Sequence, residues 1–216
     1  MKIRFSNAGK RFNREWIFRN VDIEFSAGNS YAITGPNGSG KSTLLQTIGG
    51  LLQPSEGKIS FYDSDKEILP EKVYQSISFC APYLDLVEEM TLVEFIQFHN
   101  TFKSFLKTLK INEIIDVIDL RAAANKQILY YSSGMKQRVK LAQAIFSETD
   151  IVLLDEPCTN LDAQGIELYH SLIKYYCKNR LVIVSSNDEV EYEFCKEKIS
   201  MNDFKYSGYA TSYSTL

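Results

Sequence analysis

The chain of 216 residues contains only 2 histidines and 4 cysteines, and its formal net charge at pH 7 is only −3. The cysteines are widely spaced and form no Cys-x-x-Cys pair, which excludes a zinc finger and a disulfide framework and suits a reducing compartment. The Lys and Arg residues are scattered along the chain and are nearly balanced in number by Asp and Glu. The sequence therefore predicts no basic surface of the kind that binds nucleic acids. We therefore expect no nucleic-acid partner.

Long apolar runs are also missing. No stretch approaches the roughly 18 apolar residues that span a bilayer, and Met1–Ser6 lacks the apolar segment of a signal peptide. We therefore expect a cytoplasmic protein, and a separate chain would have to supply the membrane part of any membrane process. The apolar and charged fractions, 44% and 24%, fit one globular domain.

A glycine-rich stretch is the strongest motif in the chain. It follows the apolar strand Tyr31–Thr34, opens a helix, and has the pattern Gly-x-x-x-x-Gly-Lys-Ser of a phosphate-binding P-loop. Glycines let the backbone wrap around an anion, while the N–H groups and the helix N-terminus favour negative charge. Lys41 would reach the β- and γ-phosphates of a nucleotide, and the Ser42 hydroxyl would sit on Mg²⁺.

The candidate nucleotide-binding residues of this loop are Gly35, Pro36, Asn37, Gly38, Ser39, Gly40, Lys41, Ser42 and Thr43. The alternative is a plain strand-to-helix turn with a surface lysine. The flanking strand and helix favour the P-loop.

Two carboxylates follow a second apolar run. Ile151–Leu154 predicts a fully buried strand, and Asp155 and Glu156 stand where it ends, at the sheet edge where ligands of α/β proteins bind. Asp155 would hold Mg²⁺, directly or through water, and Glu156 would polarise the attacking water as a general base. The pair could instead simply begin a loop, but its position after a P-loop favours the nucleotide site.

A further anion site is indicated at Ser132–Gly134, where serines and a glycine open a helix. On its own this stretch could equally be an ordinary helix cap.

The order of these patterns predicts an α/β fold interrupted by helices. Strands alternate with helices before and after a stretch in which apolar residues recur at three- and four-residue spacing. We predict a single domain with a core lobe of residues 1–81 and 148–201, and a helical lobe of residues 82–147. The polar tail, residues 202–216, receives no role.

The helical lobe is predicted to contain three helices. The first begins with a capping box of Thr91 and Glu94 and continues by its spacing to Leu109. Asn112 caps the second helix, and the third runs from about residue 133 to residue 146. Beyond this lobe, a last short helix is predicted near residues 188–195.

Together the motifs resemble the ATP-binding-cassette (ABC) ATPase family, and the resemblance extends from Phe5 to about Cys195. The stretches that are similar to its Walker A loop, signature, Walker B motif and D-loop are, in that order, Gly35–Thr43, Ser132–Met135, Leu153–Pro157 and Leu161–Asp162. The resemblance implies a P-loop NTPase (RecA-like) core with an antiparallel β subdomain and a helical insertion.

The same resemblance implies ATP and Mg²⁺ as cofactors. It also implies a dimer in which Ser132 and Gly134 of one chain face the P-loop of the other. An aromatic residue that stacks on adenine is expected at Phe12, although this side chain could instead belong to the core, and Trp16 is a rival for the role.

Three positions depart from the family pattern. The glutamine expected after Cys80 is missing from Ala81–Tyr83, which puts the contacts of that loop with Mg²⁺ and water in question. Asn187 stands where the family has a switch histidine. It can hydrogen-bond a γ-phosphate oxygen but cannot carry a proton, and we count it with Lys41 and Glu156 as a catalytic candidate. Met135 replaces the glutamine of the signature.

The resemblance therefore implies the ATP-hydrolysing subunit of an ABC transporter, similar to the compact ATPases of the haem-exporter and ABC-2 groups, with export as the expected direction. A second ATPase subunit would pair with it, and a membrane-spanning permease would hold it at the cytoplasmic face of the membrane. Because Glu156 is present while the loop glutamine and the switch histidine are not, we expect slow hydrolysis.

Two alternatives remain open: a soluble ATPase without a transport role, and a nucleotide sensor with little hydrolysis. A short apolar patch either docks the permease or packs against its own domain, and its residues are Tyr83, Leu84, Leu86 and Val87.

Overall fold

The computed structural model describes residues 1–205. Most of the predicted polar tail, residues 206–216, lies outside the described residues.

The chain begins in an antiparallel sheet. Its strands are β1 (Lys2–Phe12), β2 (Glu15–Ser26), β4 (Glu56–Asp63) and β5 (Lys66–Glu67), in the spatial order β2-β1-β4-β5. Ile3 lies opposite Phe25 on β2 and Phe61 on β4, and all three side chains are buried. A tight hairpin at Asn13, with a φ of 52°, connects the first two strands.

A five-stranded parallel sheet forms the centre of the molecule. It consists of β3 (Ser30–Thr34), β6 (Ile77–Cys80), β7 (Ile151–Asp155), β8 (Leu181–Ser185) and β9 (Glu197–Ser200), in the order β6-β7-β8-β3-β9. Every residue of β7 and β8 is buried, as expected for parallel strands covered on both faces. Strand β9 was not predicted. It has four residues and only Ile199 is buried, so the sequence shows no alternation of apolar and polar residues there that would indicate a strand.

Six α-helices lie among residues 1–205: α1 (Lys41–Ile48), α2 (Leu92–Phe102), α3 (Ile111–Val117), α4 (Ser133–Ile145), α5 (Ala163–Tyr176) and α6 (Glu189–Tyr192). Of these, α2, α3 and α4 fall within residues 82–147. None of the helices in this described part is both long enough and apolar enough to cross a membrane.

The capping box of Thr91 and Glu94 at the start of α2 is confirmed. Two other helix predictions were wrong. Helix α2 ends at Phe102, because the N–H of Phe105 donates to Asn100 Oδ1 at 3.0 Å instead of continuing the helix. Helix α3 begins after Lys110, whose N–H donates to Glu113, so Asn112 lies inside the helix and does not cap it.

Side-chain alternation along β7 divides the core into two clusters. Ile151 and Leu153 belong to the cluster that includes α1 and the antiparallel sheet, while Val152 and Leu154 belong to the cluster that includes α2 to α5. Because alternate residues of a strand face opposite sides of a sheet, this one strand joins the helical side to the P-loop side. The predicted α/β fold with an antiparallel β subdomain and a helical insertion is confirmed.

Candidate functional site

The predicted P-loop connects β3 to α1. Gly35, Gly38 and Gly40 have φ angles of 146°, 76° and 99°, where a side chain would be strained. A Cβ at Gly40 would also lie 2.2 Å from Cγ2 of Ile17 on β2. Ile17 therefore packs directly against the loop, and Gly40 is required there for reasons of space as well as torsion.

Two polar residues are buried within this loop. Lys41 Nζ donates to the carbonyl oxygens of Gly35 at 2.8 Å and Pro36 at 3.3 Å, so the side chain spans the loop. Ser39 Oγ is buried and has no hydrogen-bond partner among residues 1–205. A buried hydroxyl without a partner is costly, and an ammonium that donates to two carbonyl oxygens has one of its three N–H groups left to donate. An anionic ligand would be a partner for both groups.

Asp155 is the last residue of β7, and its side chain is almost fully buried. It pairs in register with Ser185 on β8. Within the described part of the chain, its Oδ1 accepts no hydrogen bond. A buried carboxylate oxygen without a donor is unfavourable, and oxygen is the ligand type that Mg²⁺ prefers. The residue therefore fits a role as a ligand of this cation.

Glu156 turns the chain out of the sheet. Its backbone N–H donates to the Ser185 carbonyl at 2.9 Å, and its φ is 43°. This left-handed conformation costs a non-glycine residue about 1–2 kcal/mol. Strain of this kind clusters at functional sites, where the surrounding structure holds it in place.

A cavity of about 290 Å³ brings these motifs together. Its lining combines one cation, hydroxyl groups and one carboxylate from Ile17, Asn37, Gly38, Gly40, Lys41, Ser42, Thr43 and Glu156. A larger cavity, of about 600 Å³, lies beside α2 and α3, but none of the predicted site residues lines it. The chemistry of the lining, not the size, identifies the smaller cavity as the candidate site.

The loop after β8 also reaches the P-loop. The side-chain amide of Asn187 donates a hydrogen bond of 2.7 Å to Oδ1 of Asn37, which lines the cavity. Asn187 is thus held beside the predicted phosphate site by a hydrogen bond between two uncharged amide groups.

The two aromatic candidates do not line this cavity. Phe12 is 47% exposed, and Lys10 Nζ lies 5.2 Å from the centre of its ring. Trp16 is flanked by the guanidinium groups of Arg11 and Arg19. The hairpin contributes Ile17 instead, a residue that no sequence motif singled out because it occupies an ordinary strand position. A role for Phe12 in binding adenine stays a prediction.

Ser132 and Gly134 lie at the start of α4. Ser132 Oγ accepts the N–H of Met135 at 3.2 Å and so caps the helix. The two residues line a separate groove of about 470 Å³, together with Met135, Arg138, Asp119, Asn160 and Asp162 among others. This groove shares no lining residue with the P-loop cavity. A single chain therefore presents two predicted phosphate-binding surfaces that are apart from each other.

Tyr83 belongs to the stretch Ala81–Tyr83, which lacks the glutamine that the family resemblance leads one to expect. Burial is the largest cause of a rise in the pKa of Tyr83 to about 12; the negative charge of Asp155 adds to the rise, and Gln46 opposes it. The hydroxyl therefore stays protonated at neutral pH. In the predicted apolar patch, Tyr83, Leu84 and Val87 are exposed, whereas Leu86 is buried. The patch is thus partly surface and partly core.

One buried carboxylate was not selected from the sequence. Glu191 on α6 accepts the N–H of Cys158 at 2.7 Å and so fixes the segment after Glu156. Burial raises its pKa. No signal in the sequence distinguishes Glu191 from the acidic residues around it.

Comparison with known proteins gives one family. Residues 18–159 match the model of the ABC transporter family. The chain is 32% identical, over 204 residues, to the uncharacterized ABC transporter ATP-binding protein YybJ of Bacillus subtilis, with coverage of 91% of this chain and 90% of that protein. It is 33% identical, over 173 residues, to the sulfate/thiosulfate import ATP-binding protein CysA of Mesorhizobium japonicum. That match covers 76% of this chain but only 49% of the relative, so the chain spans about half of its length.

Solved structures share the fold. A putative ABC transporter ATP-binding protein from Pyrococcus furiosus superimposes with a TM-score of 0.80 at 22% identity, covering 95% of this chain and 100% of that one. The cassette MJ0796, in a dimeric post-hydrolysis state bound to ADP and Pi, gives a TM-score of 0.78 at 26% identity, covering 92% and 93% of the two chains.

Proposed function

The chain belongs to the ABC transporter family as an ATP-binding cassette, and on that premise we propose that it hydrolyses ATP to drive a separate membrane permease. The observation that carries the proposal is the cavity in which Lys41, Ser42 and Glu156 meet. It combines a cation for phosphates, a hydroxyl for a metal ion and a carboxylate for water.

In this proposal the P-loop binds the phosphates of ATP. Lys41 and the N–H groups at the start of α1 would stabilise negative charge on the transferred phosphoryl group. Glu156 would accept a proton from the attacking water. Asn187, held by Asn37, would donate its amide to a γ-phosphate oxygen, and Phe12 would contact the adenine.

Ser42 and Asp155 would hold Mg²⁺. When bound, this ion neutralises charge on the β- and γ-phosphates. Residues 1–205 contain no cluster of three or more His, Cys, Asp or Glu residues that could hold a metal ion. A site with few protein ligands suits Mg²⁺, which keeps several waters and binds one or two carboxylates together with substrate phosphates.

The separation of the two phosphate-binding surfaces supports a dimer. Because Ser132 and Gly134 line a groove apart from the P-loop cavity, they would serve the nucleotide of a second copy. Two chains would then close over two ATP molecules, with each signature facing the partner's P-loop.

ATP affinity and hydrolysis of the purified chain test the function directly. Lys41→Ala should weaken ATP binding at least about tenfold, because hydrogen bonds to charged groups contribute about 1.5–3 kcal/mol. Lys107→Ala is the matched control, since its side chain is 86% exposed. If the wild type, Lys41→Ala and Lys107→Ala bound ATP with equal affinity, the proposed role of the P-loop would be contradicted.

Coupling to a permease would hold the chain at the cytoplasmic face of a membrane, with the exposed Tyr83, Leu84 and Val87 as the proposed docking patch. Tagged protein should co-purify from solubilised membranes with a membrane-spanning subunit. Export is the direction that we propose from the likeness to compact export ATPases, and relatives named as import proteins make import the alternative. Transport by reconstituted vesicles decides between the two directions.

Two other functions make different predictions. A soluble ATPase without a transport role would sediment with ribosomes or DNA instead of co-purifying with membranes. A nucleotide sensor would bind ATP with normal affinity and show no hydrolysis.

A further inference from the structure

The loop after β7 begins with Glu156 and is held from two sides. On one side, Glu191 accepts the N–H of Cys158 at 2.7 Å. On the other side, Nε2 of Gln137 donates to the carbonyl oxygen of Pro157, also at 2.7 Å. Because proline has no N–H, this carbonyl is the only backbone group through which Pro157 can be hydrogen-bonded. The two bonds therefore fix both of the residues that directly follow Glu156.

Gln137 is a buried residue of α4, and only 3% of its surface is exposed. Its amide nitrogen also lies 3.8 Å from Sγ of Cys80, the last residue of β6. Sulfur is a weak acceptor, so the carbonyl of Pro157 is the main partner of this amide. The side chain of Gln137 thus joins α4 to the chain at the end of β6 and just beyond the end of β7.

Helix α4 is also the helix that begins at the predicted signature. Its first turn packs closely on the far end of the loop after β7, because a Cβ at Gly134 would lie 3.0 Å from the carbonyl oxygen of Asn160. The same helix therefore contacts this loop in two places, through Gly134 at Asn160 and through Gln137 at Pro157.

The backbone of Glu156 depends on contacts of this kind. Its φ of 43° is a strained conformation, and such a conformation persists only where the surrounding structure determines it. The carbonyl of Glu156 accepts hydrogen bonds from the N–H of Thr159 at 3.2 Å and from its Oγ1 at 2.9 Å. The direction in which the Glu156 side chain enters the cavity is therefore set by the loop that follows it.

We propose that Gln137 is a positioning residue: by holding the carbonyl of Pro157, it keeps Glu156 directed at the attacking water. It thereby links the signature helix to the general base of the same chain. The inference rests on the proposed function, in which Glu156 accepts a proton from that water. Gln137 does not line the P-loop cavity, so it acts on hydrolysis only through the loop and leaves the binding of ATP to the P-loop.

Gln137→Met tests the proposal, because it removes the amide donor and keeps a side chain of similar length. We expect the rate of ATP hydrolysis in a single turnover to fall about 10–100-fold, since a displacement of about 1 Å at a catalytic group can cost a factor of about 100. The dissociation constant of ATP should stay near the wild-type value. Gln143→Met is the matched control: Gln143 also lies on α4, but its amide nitrogen is 3.2 Å from Nδ1 of His99, away from the loop.

A lost hydrogen bond in the core can also slow hydrolysis by loosening the whole domain, and a double-mutant cycle with Glu156→Gln separates the two causes. The general base is already absent in Glu156→Gln, so adding Gln137→Met should leave its residual single-turnover rate unchanged. A general structural effect would instead lower that residual rate as well.

A wild-type rate of hydrolysis in Gln137→Met overturns the proposal. An equal fold-loss of rate with and without the Glu156 carboxylate also overturns it, as does a loss of ATP affinity as large as the loss of rate. If Gln137→Met unfolds below the assay temperature, Gln137→Asn replaces it and the same outcomes decide, because asparagine keeps a buried amide and withdraws the donor from Pro157 by one methylene. Hydrolysis by Glu156→Gln at the wild-type rate would instead refute the proposed function itself.

Discussion

The side-chain amide of Asn187 donates a 2.7 Å hydrogen bond to Oδ1 of Asn37. Asn37 belongs to the P-loop and Asn187 to the loop after β8, so this bond ties together two segments that are 150 residues apart in the sequence. Both groups are neutral amides that neither gain nor lose a proton between acid and neutral pH. A contact of this kind fixes position 187 beside the phosphate site without making it sensitive to pH.

Asn187→Ala should lower the rate of ATP hydrolysis about 10–100-fold, because a hydrogen bond to a charged phosphate oxygen contributes about 1.5–3 kcal/mol. The dissociation constant of ATP should change much less, since Lys41 and the loop N–H groups remain. Steady-state hydrolysis and calorimetry measure the two quantities. Asn125→Ala, at an exposed position on the helical side, is the control and should match the wild type. A normal rate for Asn187→Ala would remove this residue from the catalytic set.

Gly40→Ala and Gly28→Ala form a matched pair. Both glycines have positive φ angles, 99° and 77°, but a Cβ at Gly40 would lie 2.2 Å from Ile17, whereas nothing lies within 4 Å of one at Gly28. Gly28→Ala should cost about 1–2 kcal/mol of unfolding free energy from its torsion alone and leave ATP affinity intact. Gly40→Ala should in addition displace Ile17 or the loop and weaken ATP binding.

Denaturant unfolding and calorimetry on both variants provide the test. Wild-type ATP affinity in Gly40→Ala would show that the packing of Ile17 against the loop does not matter for the site.

His99 should make the protein less stable in acid. Its Nε2 lies 3.0 Å from Ser147 Oγ, and its Nδ1 lies 3.2 Å from the amide nitrogen of Gln143, a donor that a second ring proton would oppose. Burial, with a smaller effect of Lys103, lowers the pKa of His99 from 6.5 to about 4. Between these two values the unfolded chain binds a proton that the folded chain does not, so stability is complete above pH 6.5 and falls as the pH drops towards 4.

The loss should amount to about 1–2 kcal/mol, after allowance for the partial exposure of the ring. Urea unfolding at several pH values gives the unfolding free energies of the wild type and of His99→Gln, and the loss appears as a change with pH in the difference between them. If that difference stayed constant across this pH range, the lowered pKa of His99 would be contradicted.

The sequence was most informative where chemistry requires particular residue types close together in the chain. The loop from Gly35 to Thr43 and the pair after Ile151–Leu154 were both predicted, because torsion, anion binding and burial each restrict the residues allowed. The Thr91 capping box was predicted for the same reason. Local signals of this kind are independent of the rest of the fold.

Contacts between distant segments could not be predicted. Ile17 lines the nucleotide cavity only because β2 packs against the P-loop, and Asn187 contacts Asn37 only because the loop after β8 lies beside the P-loop. The end of α2 was misplaced for a related reason: apolar spacing continues past Phe102, but Phe105 and Leu109 pack against the core from outside a helix.

The central claim is that a second copy of the chain completes the nucleotide site. Sedimentation velocity of Glu156→Gln with Mg²⁺ and ATP tests it, because slowed hydrolysis should trap the closed state. The same variant with Ser132→Asp is the control: aspartate also caps α4, but its charge would face the partner's γ-phosphate.

We predict that Glu156→Gln doubles its mass from 24.7 kDa when ATP is added. With Ser132→Asp added, the chain should stay at the mass of one copy while binding ATP with nearly the same affinity. Monomers at saturating ATP in both proteins, or dimers in both, would contradict the claim.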